Sequence, residues 1–274
     1  MHTPIQPDNP FGCNRYGFAW QHVPEGQGAH LDFGCGDGRF LAALARKKPR
    51  QLVGVDLSLA ALKRAATRSG GLALIQIHDA AALPFADGQF ESISALDVLE
   101  HVDAQELVLN ELHRVLRDDG ILIVTVPGHH TFSFLDLGNF KFRFPRLHRW
   151  YYCRTHSRTE YERRYVSNAE GLVGDVSATK QWHEHFSRRR LADLLERSGF
   201  SVVRFDGTGR FARLLKIATL LLGWVGPLRA GIAKLTAWDA RRFESANLFC
   251  VACKCPTTVR HPQKDATRPL CAKL

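Results

Sequence analysis

Between residues 30 and 126, five short apolar runs alternate with segments of helical period, and no other feature narrows the possible folds as far. The runs are 29–34, 51–56, 72–77, 91–96 and 120–126. Residues 39–48 read as a helix with Phe40, Leu41 and Leu44 on one side, and Ser58 caps a second helix running to about residue 69. A third helix is expected over 102–116, ended by Asp118-Asp119-Gly120. Strands joined by helices in this rhythm make right-handed crossovers, so the chain is expected to be α/β with a parallel sheet.

The rhythm stops at Pro127. Ser187 then caps an amphipathic helix ending at Gly199, 201–205 reads as a sixth strand, 211–238 as apolar helix and 247–253 as a last strand. This gives one domain over 1–255, with an insertion over about 127–186 and a disordered basic tail over 256–274.

Hydrophobic residues at 45% and charged residues at 23% exclude a disordered or fibrous chain. There is no apolar run long enough for a membrane span and no basic-then-apolar leader at the start. Seven cysteines, an odd number in a long chain, argue for free thiols in a reducing compartment, and a cytoplasmic location is expected. The net charge of +10 is local: residues 139–165 carry +6 and 254–274 carry +4. Two basic segments on a neutral body suit a local anionic partner better than nucleic acid along the whole surface.

The segment Asp32-Phe33-Gly34-Cys35-Gly36-Asp37-Gly38 sits where the first strand meets the first helix. Glycine there lets the backbone approach a ligand at the carboxyl edge of the sheet. A dinucleotide fingerprint fails, because its third glycine is Arg39. Asp56, ending the second strand, can accept hydrogen bonds from both hydroxyls of a ribose. Asp79, after the third, can accept from an exocyclic adenine amine. Together these describe a nucleoside lying across three strand ends; three unrelated surface aspartates are the alternative.

With 53–58, 78–102 and 111–128, this segment resembles the successive motifs of class I S-adenosylmethionine-dependent methyltransferases. The resemblance is nearest to the methyltransferase type 11 group that includes ubiquinone-biosynthesis O-methyltransferases. It implies a Rossmann-like, doubly wound sheet of seven strands, the last antiparallel, with S-adenosyl-L-methionine as cofactor. By similarity, Asp32, Gly34, Gly36 and Gly38 would hold its methionine end and Asp56 its ribose. Asp79 and Ala80 would hold its adenine, and Asp97, Val98 and Leu99 would form its floor.

Fold relatives that methylate amide or nucleobase nitrogen carry prolines after strand four, where this chain reads Asp97-Val98-Leu99-Glu100. Oxygen of a small molecule is therefore the favoured acceptor, with carbon next. Histidine is the natural base near neutral pH. His185 and His101 are the first candidates for it, and His129, His130 and His183 are substrate-side candidates. Asp97, Glu100 and His101 could also hold a divalent ion, with 97 and 101 on one helical face, but packing and capping is the favoured reading and no metal is expected. Cys250, Cys253 and Cys255 have zinc-like spacing, yet alternation points 250 and 253 to opposite faces, so they are read as structural.

In the insertion, Arg143, Tyr151 and Tyr152 belong to a run of arginines and aromatics suited to a phosphorylated or carboxylated acceptor. Residues 211–235 carry four cations and no acid. Their twelve-residue apolar core, 217–228, is too short to cross a bilayer, but the segment can lie in its interface, close the substrate pocket or make a dimer. The expected function is O-methylation of a small or lipid-linked anionic acceptor, a quinone precursor or polyprenyl-linked sugar, with an anionic membrane surface as a partner. The alternative is an RNA or protein methyltransferase that uses the basic segments as a backbone-binding surface.

Overall fold

The computed structural model describes residues 10, 14–25, 28–47, 51–129, 144–154, 156–167, 184–243 and 247–254. Its centre is one sheet of seven strands, in the order β3-β2-β1-β4-β5-β7-β6. The strands are β1 (His30–Phe33), β2 (Leu52–Asp56), β3 (Ala73–Gln76), β4 (Phe90–Leu96), β5 (Leu116–Pro127), β6 (Phe200–Thr208) and β7 (Asn247–Lys254). The first five run parallel, and β7 lies antiparallel between β5 and β6. The expected seven strands and antiparallel last strand are both present.

Helices cover the two faces because each strand between them buries side chains on both sides. On one face lie α1 (Arg15–His22), α2 (Arg39–Lys47) and α3 (Leu59–Ser69), through Phe18, Phe40, Leu41, Leu44 and Leu62 against Ile121, Ile123 and Val251. On the other lie α4 (Gln105–Val115) and, after the insertion, a helix over Arg188–Arg197, through Leu109, Leu112, Leu191 and Leu195 against Ile93, Leu122 and Val124. Ser58 and Ser187 cap as the sequence suggests, accepting from the amides of Ala61 and Arg190.

Several boundaries differ from the sequence reading; β6, expected over 201–205, runs on to Thr208. The helix expected over 102–116 starts at Gln105, behind a separate 3₁₀ turn over Leu99–His101. β5 begins at Leu116, four residues early, because pairing with β4 shifts register between Phe90 and Ser92 and Asp119 takes the left-handed conformation (φ 65°). That irregularity extends the strand through a turn-like Asp-Asp-Gly. The 211–238 segment is two helices, described below. Within the insertion, α5 (Pro145–Cys153) and α6 (Arg158–Tyr161), continued by a π-helical turn over Glu162–Val166, precede α7 (Arg188–Arg197). The expected tail lies outside the described residues.

Candidate active site

The parallel strands bring their carboxyl ends to one edge, and the β1–α2 turn rises from it. Gly34, Gly36 and Gly38 all have positive φ (73°, 54° and 71°). At Gly34 a side chain is doubly excluded, since a Cβ would come within 2.6 Å of Val98. The turn is held from beneath: the Gly34 and Cys35 amides donate to the Val55 carbonyl at 2.9 and 3.0 Å. The Gly36 amide donates to Asp56 Oδ2 at 2.8 Å, while the Ser58 amide donates to Asp56 Oδ1. Asp56 thus joins the ends of β1 and β2 with its carboxylate, and each oxygen keeps a lone pair for a ligand hydroxyl.

Asp32 pairs in the ladder with Ser94, so the two side chains share a face. Ser94 Oγ donates to Asp32 Oδ1 at 2.6 Å and faces His30 Nε2 at 3.1 Å; His30 Nδ1 lies 2.8 Å from Ser92 Oγ. With Asp32 ionised, Ser94 gives its one proton to the carboxylate, so His30 Nε2 donates to Ser94 and Nδ1 accepts from Ser92. The whole chain is buried. Desolvation pushes the Asp32 carboxyl up to about 7, against the opposing Ser94 hydrogen bond. Burial also pushes the Cys35 thiol upward, so the cysteine in the turn stays protonated at neutral pH.

A cavity of about 160 Å³ opens above these groups, lined by Asp32, Gly34, Gly36, Asp37 and Arg39, with Tyr16 and Phe40 among its walls. Exposed backbone, two carboxylates and a guanidinium are a donor set fit for a zwitterionic amino acid bearing a further cation. The structure therefore groups Asp32, Gly34 and Gly36 at the cavity and places Asp56 beside them, with Gly38 closing the turn against Ala65. Asp79 is exposed and accepts from the Ala81 amide, and Ala80 packs partly into the core. Leu99 is fully buried in the core, so only its backbone is available at the site.

The sequence reading missed α1. Arg15 donates to Asp97 Oδ2, while Thr125 Oγ1 donates to Asp97 Oδ1 at 2.7 Å. Asp97 itself has φ 56°, a conformation that aspartate tolerates better than most residues. Because Asp97 precedes the 3₁₀ turn, it shares no helical face with His101, which corrects that expectation. Its carboxylate already holds a cation, the Arg15 guanidinium. Asn14 capping the Gly17 amide was the one local signal that a helix starts there.

His101 is half-buried, with Nε2 3.9 Å from the fully buried Glu100 carboxylate. A strut connects that turn to the end of the insertion: Gln105 donates to the Leu99 carbonyl at 2.8 Å and to Glu184 Oε2 at 2.9 Å. His185 follows Glu184, and Phe186 bridges to the end of β5, accepting from the His129 amide at 2.7 Å. His129 is exposed. His130, Arg143 and His183 lie outside the described residues.

In the insertion Tyr151 is 64% exposed. Tyr152 instead packs inside a ring cluster, stacked on His156 (4.2 Å between centroids) and edge-on to Tyr165. Tyr152 is therefore a packing residue of the insertion. Cys250 and Cys253 do lie in opposite core layers. Cys253 is disulfide-bonded, so the expectation of free thiols holds only for Cys35, Cys153 and Cys250 among the described residues.

A doubly wound sheet with a glycine turn over β1 and a carboxylate ending β2 defines a nucleoside-cofactor-binding α/β domain. Residues 31–124 match the family model described as a methyltransferase domain. They form a class I S-adenosylmethionine-dependent methyltransferase domain. The chain is 37% identical over 106 residues to a malonyl-[acyl-carrier protein] O-methyltransferase of Legionella pneumophila, covering 38% of this chain and 37% of the relative. It is 39% identical over 97 residues to a ubiquinone/menaquinone biosynthesis C-methyltransferase of Desulfotalea psychrophila, covering 35% and 39%. The chain thus spans under two fifths of the length of these relatives. Among solved structures it is similar to the Haemonchus contortus phosphoethanolamine N-methyltransferase 2 in complex with S-adenosyl-L-methionine, with TM-score 0.53 and 17% identity, covering 88% of this chain and 52% of that one.

Proposed function

We propose that this chain, as one domain over residues 1–255, transfers a methyl group from S-adenosyl-L-methionine to an oxygen of a small or lipid-linked anionic acceptor. A quinone precursor and a polyprenyl-linked sugar are the two acceptor types that best fit. The observation that carries the reading is the pairing, at one sheet edge, of the Asp32–Asp56 glycine turn with His101 beside the buried Glu100 carboxylate. Relatives that share the domain include both an O- and a C-methyltransferase by name, so the choice of oxygen rests on this chain's own residues.

Bound at this edge, S-adenosyl-L-methionine would supply an electrophilic methyl on a sulfonium, and transfer neutralises that charge. The work left to the protein is positioning and, for a hydroxyl acceptor, removal of one proton. Asp32 and the close-approaching backbone of the glycine turn would hold the amino-acid end, and Asp56 would accept from the ribose hydroxyls. Asp79 and Ala80 border the adenine, while Val98, against Gly34, forms part of the floor. The Arg15–Asp97–Thr125 contact fixes the end of β4, so the 3₁₀ turn carrying His101 keeps one orientation. His101 accepts the acceptor's proton, and the Glu100 carboxylate steadies the resulting imidazolium. His185, tied in by the Glu184–Gln105 hydrogen bond, is the second candidate for the same role.

The exposed aromatic and basic surface of α5, including Tyr151, Trp150 and Arg146, supports an anionic acceptor. The partners that follow are that acceptor and, for a lipid-linked one, an anionic membrane surface.

The test is transfer of label from methyl-labelled S-adenosyl-L-methionine into a fractionated cell extract. Label extracted into organic solvent supports the lipid or quinone acceptor. Label retained on RNA or protein overturns it and recasts the basic insertion as a polymer-binding surface, with affinity falling steeply in salt.

A further inference from the structure

The segment from 207 to 243 contains seven Lys/Arg and a single acid, Asp239. It folds as a helical hairpin, α8 (Ala212–Leu222) and α9 (Gly226–Phe243), inserted between the edge strand β6 and its neighbour β7. Its base is anchored. Asp239 is 1% exposed and accepts from the Phe211 amide at 2.8 Å, Phe211 packs edge-on to Phe243, and Ile232 is buried. No exposed negative charge is left on the hairpin.

The other end is different in kind. Trp224, in the turn, is 84% exposed and Leu221 is 65% exposed, and Ile217, Leu222 and Leu228 are exposed beside them. Leaving this much contiguous apolar surface in water is unfavourable, which marks it as a contact surface. No helix among the described residues is long and apolar enough to cross a membrane.

We propose that this hairpin docks the protein on an anionic lipid bilayer, with its apolar tip in the interface and its cations among the headgroups. Geometry and charge favour this occupant. At 1.5 Å per residue, Lys216 and Arg229 stand about 9 and 5 Å along their helices from the turn. Interfacial helices bury their apolar side by about 5–10 Å, so a tip seated at the acyl boundary brings both positions to phosphate depth. A second copy of the chain fits worse, because pairing two such tips would bring two sets of like charges together. The docking does not depend on which acceptor the active site takes.

The test is flotation of the full chain with phosphatidylcholine vesicles, with or without phosphatidylglycerol, at physiological salt. The expected result is flotation with the anionic vesicles alone. Trp224→Asp should lower partitioning at least about tenfold. Arg229→Gln should lower it roughly fivefold, at about 1 kcal/mol per cation and 1.4 kcal/mol per decade. Both variants change exposed positions, and unaltered thermal melting would show that they fold. Absence of flotation, or flotation that Trp224→Asp leaves unchanged, overturns the proposal. So does a dimer in sedimentation equilibrium that Trp224→Asp dissociates without any vesicle binding, since the tip would then belong to a second copy.

Discussion

Replacing Asp32 with Asn should change how stability depends on pH without emptying its place in the sheet. Asn keeps an oxygen to accept from Ser94 and nearly the same volume, so the His30–Ser94 network survives. What it loses is the charge. Burial holds the Asp32 carboxyl at about 7, whereas the unfolded chain titrates it near 3.8. Between those values the folded state carries one proton more than the unfolded state, so Asp32 contributes stability that is complete below pH 4 and lost as pH rises through 7. The slope is about 1.4 kcal/mol per pH unit. Urea denaturation of both proteins without cofactor, from pH 5 to 8, isolates this group, because every other titrating residue is common to both. The wild type should lose about 1.4 kcal/mol relative to Asp32→Asn between pH 5 and 6, and the difference should level off above 7. A cationic cofactor favours the ionised carboxylate, so wild-type affinity should rise over the same window while the variant's stays flat and weaker. Parallel stability curves from pH 5 to 8 would refute the reasoning, since they would mean that the carboxyl is not desolvated.

Three further substitutions probe the same edge. Gly34→Ala combines a positive φ with a 2.6 Å approach to Val98, and should cost about 1–3 kcal/mol in denaturation together with most of the cofactor affinity in calorimetry. Asp56→Ala removes the acceptor for the Gly36 and Ser58 amides, so it should weaken cofactor binding at least about tenfold and soften the turn by roughly 1–3 kcal/mol; unchanged affinity would break the reading of β2. His101→Ala should lower kcat about 10²-fold or more while cofactor affinity holds. If His185→Ala shows that pattern and His101→Ala does not, the base is His185.

Much of the cofactor edge was legible in the sequence because its signals are local. A strand's apolar run, a serine before a helix and a glycine that must take positive φ each act within a few residues. That is why β1, β2, Ser58, Ser187 and the turn from Asp32 to Gly38 stand where the sequence placed them. Asp56 could be read the same way, since a carboxylate at the end of β2 reaches the neighbouring turn in any parallel sheet of this handedness.

The tertiary structure decided what depends on residues distant in the chain. Arg15 reaches Asp97 across 82 positions, and Ser94 reaches Asp32 across 62. Neither contact has a periodicity, so α1 gave no sign of its place at the active edge and Asp32 none of its raised pKa. The early start of β5 came from pairing with β4, and the division of 211–238 into two helices placed Trp224 at an exposed turn. Periodicity reports which residues favour burial; only the assembled sheet determines which partners they find and which, like the hairpin tip, find none within the described residues.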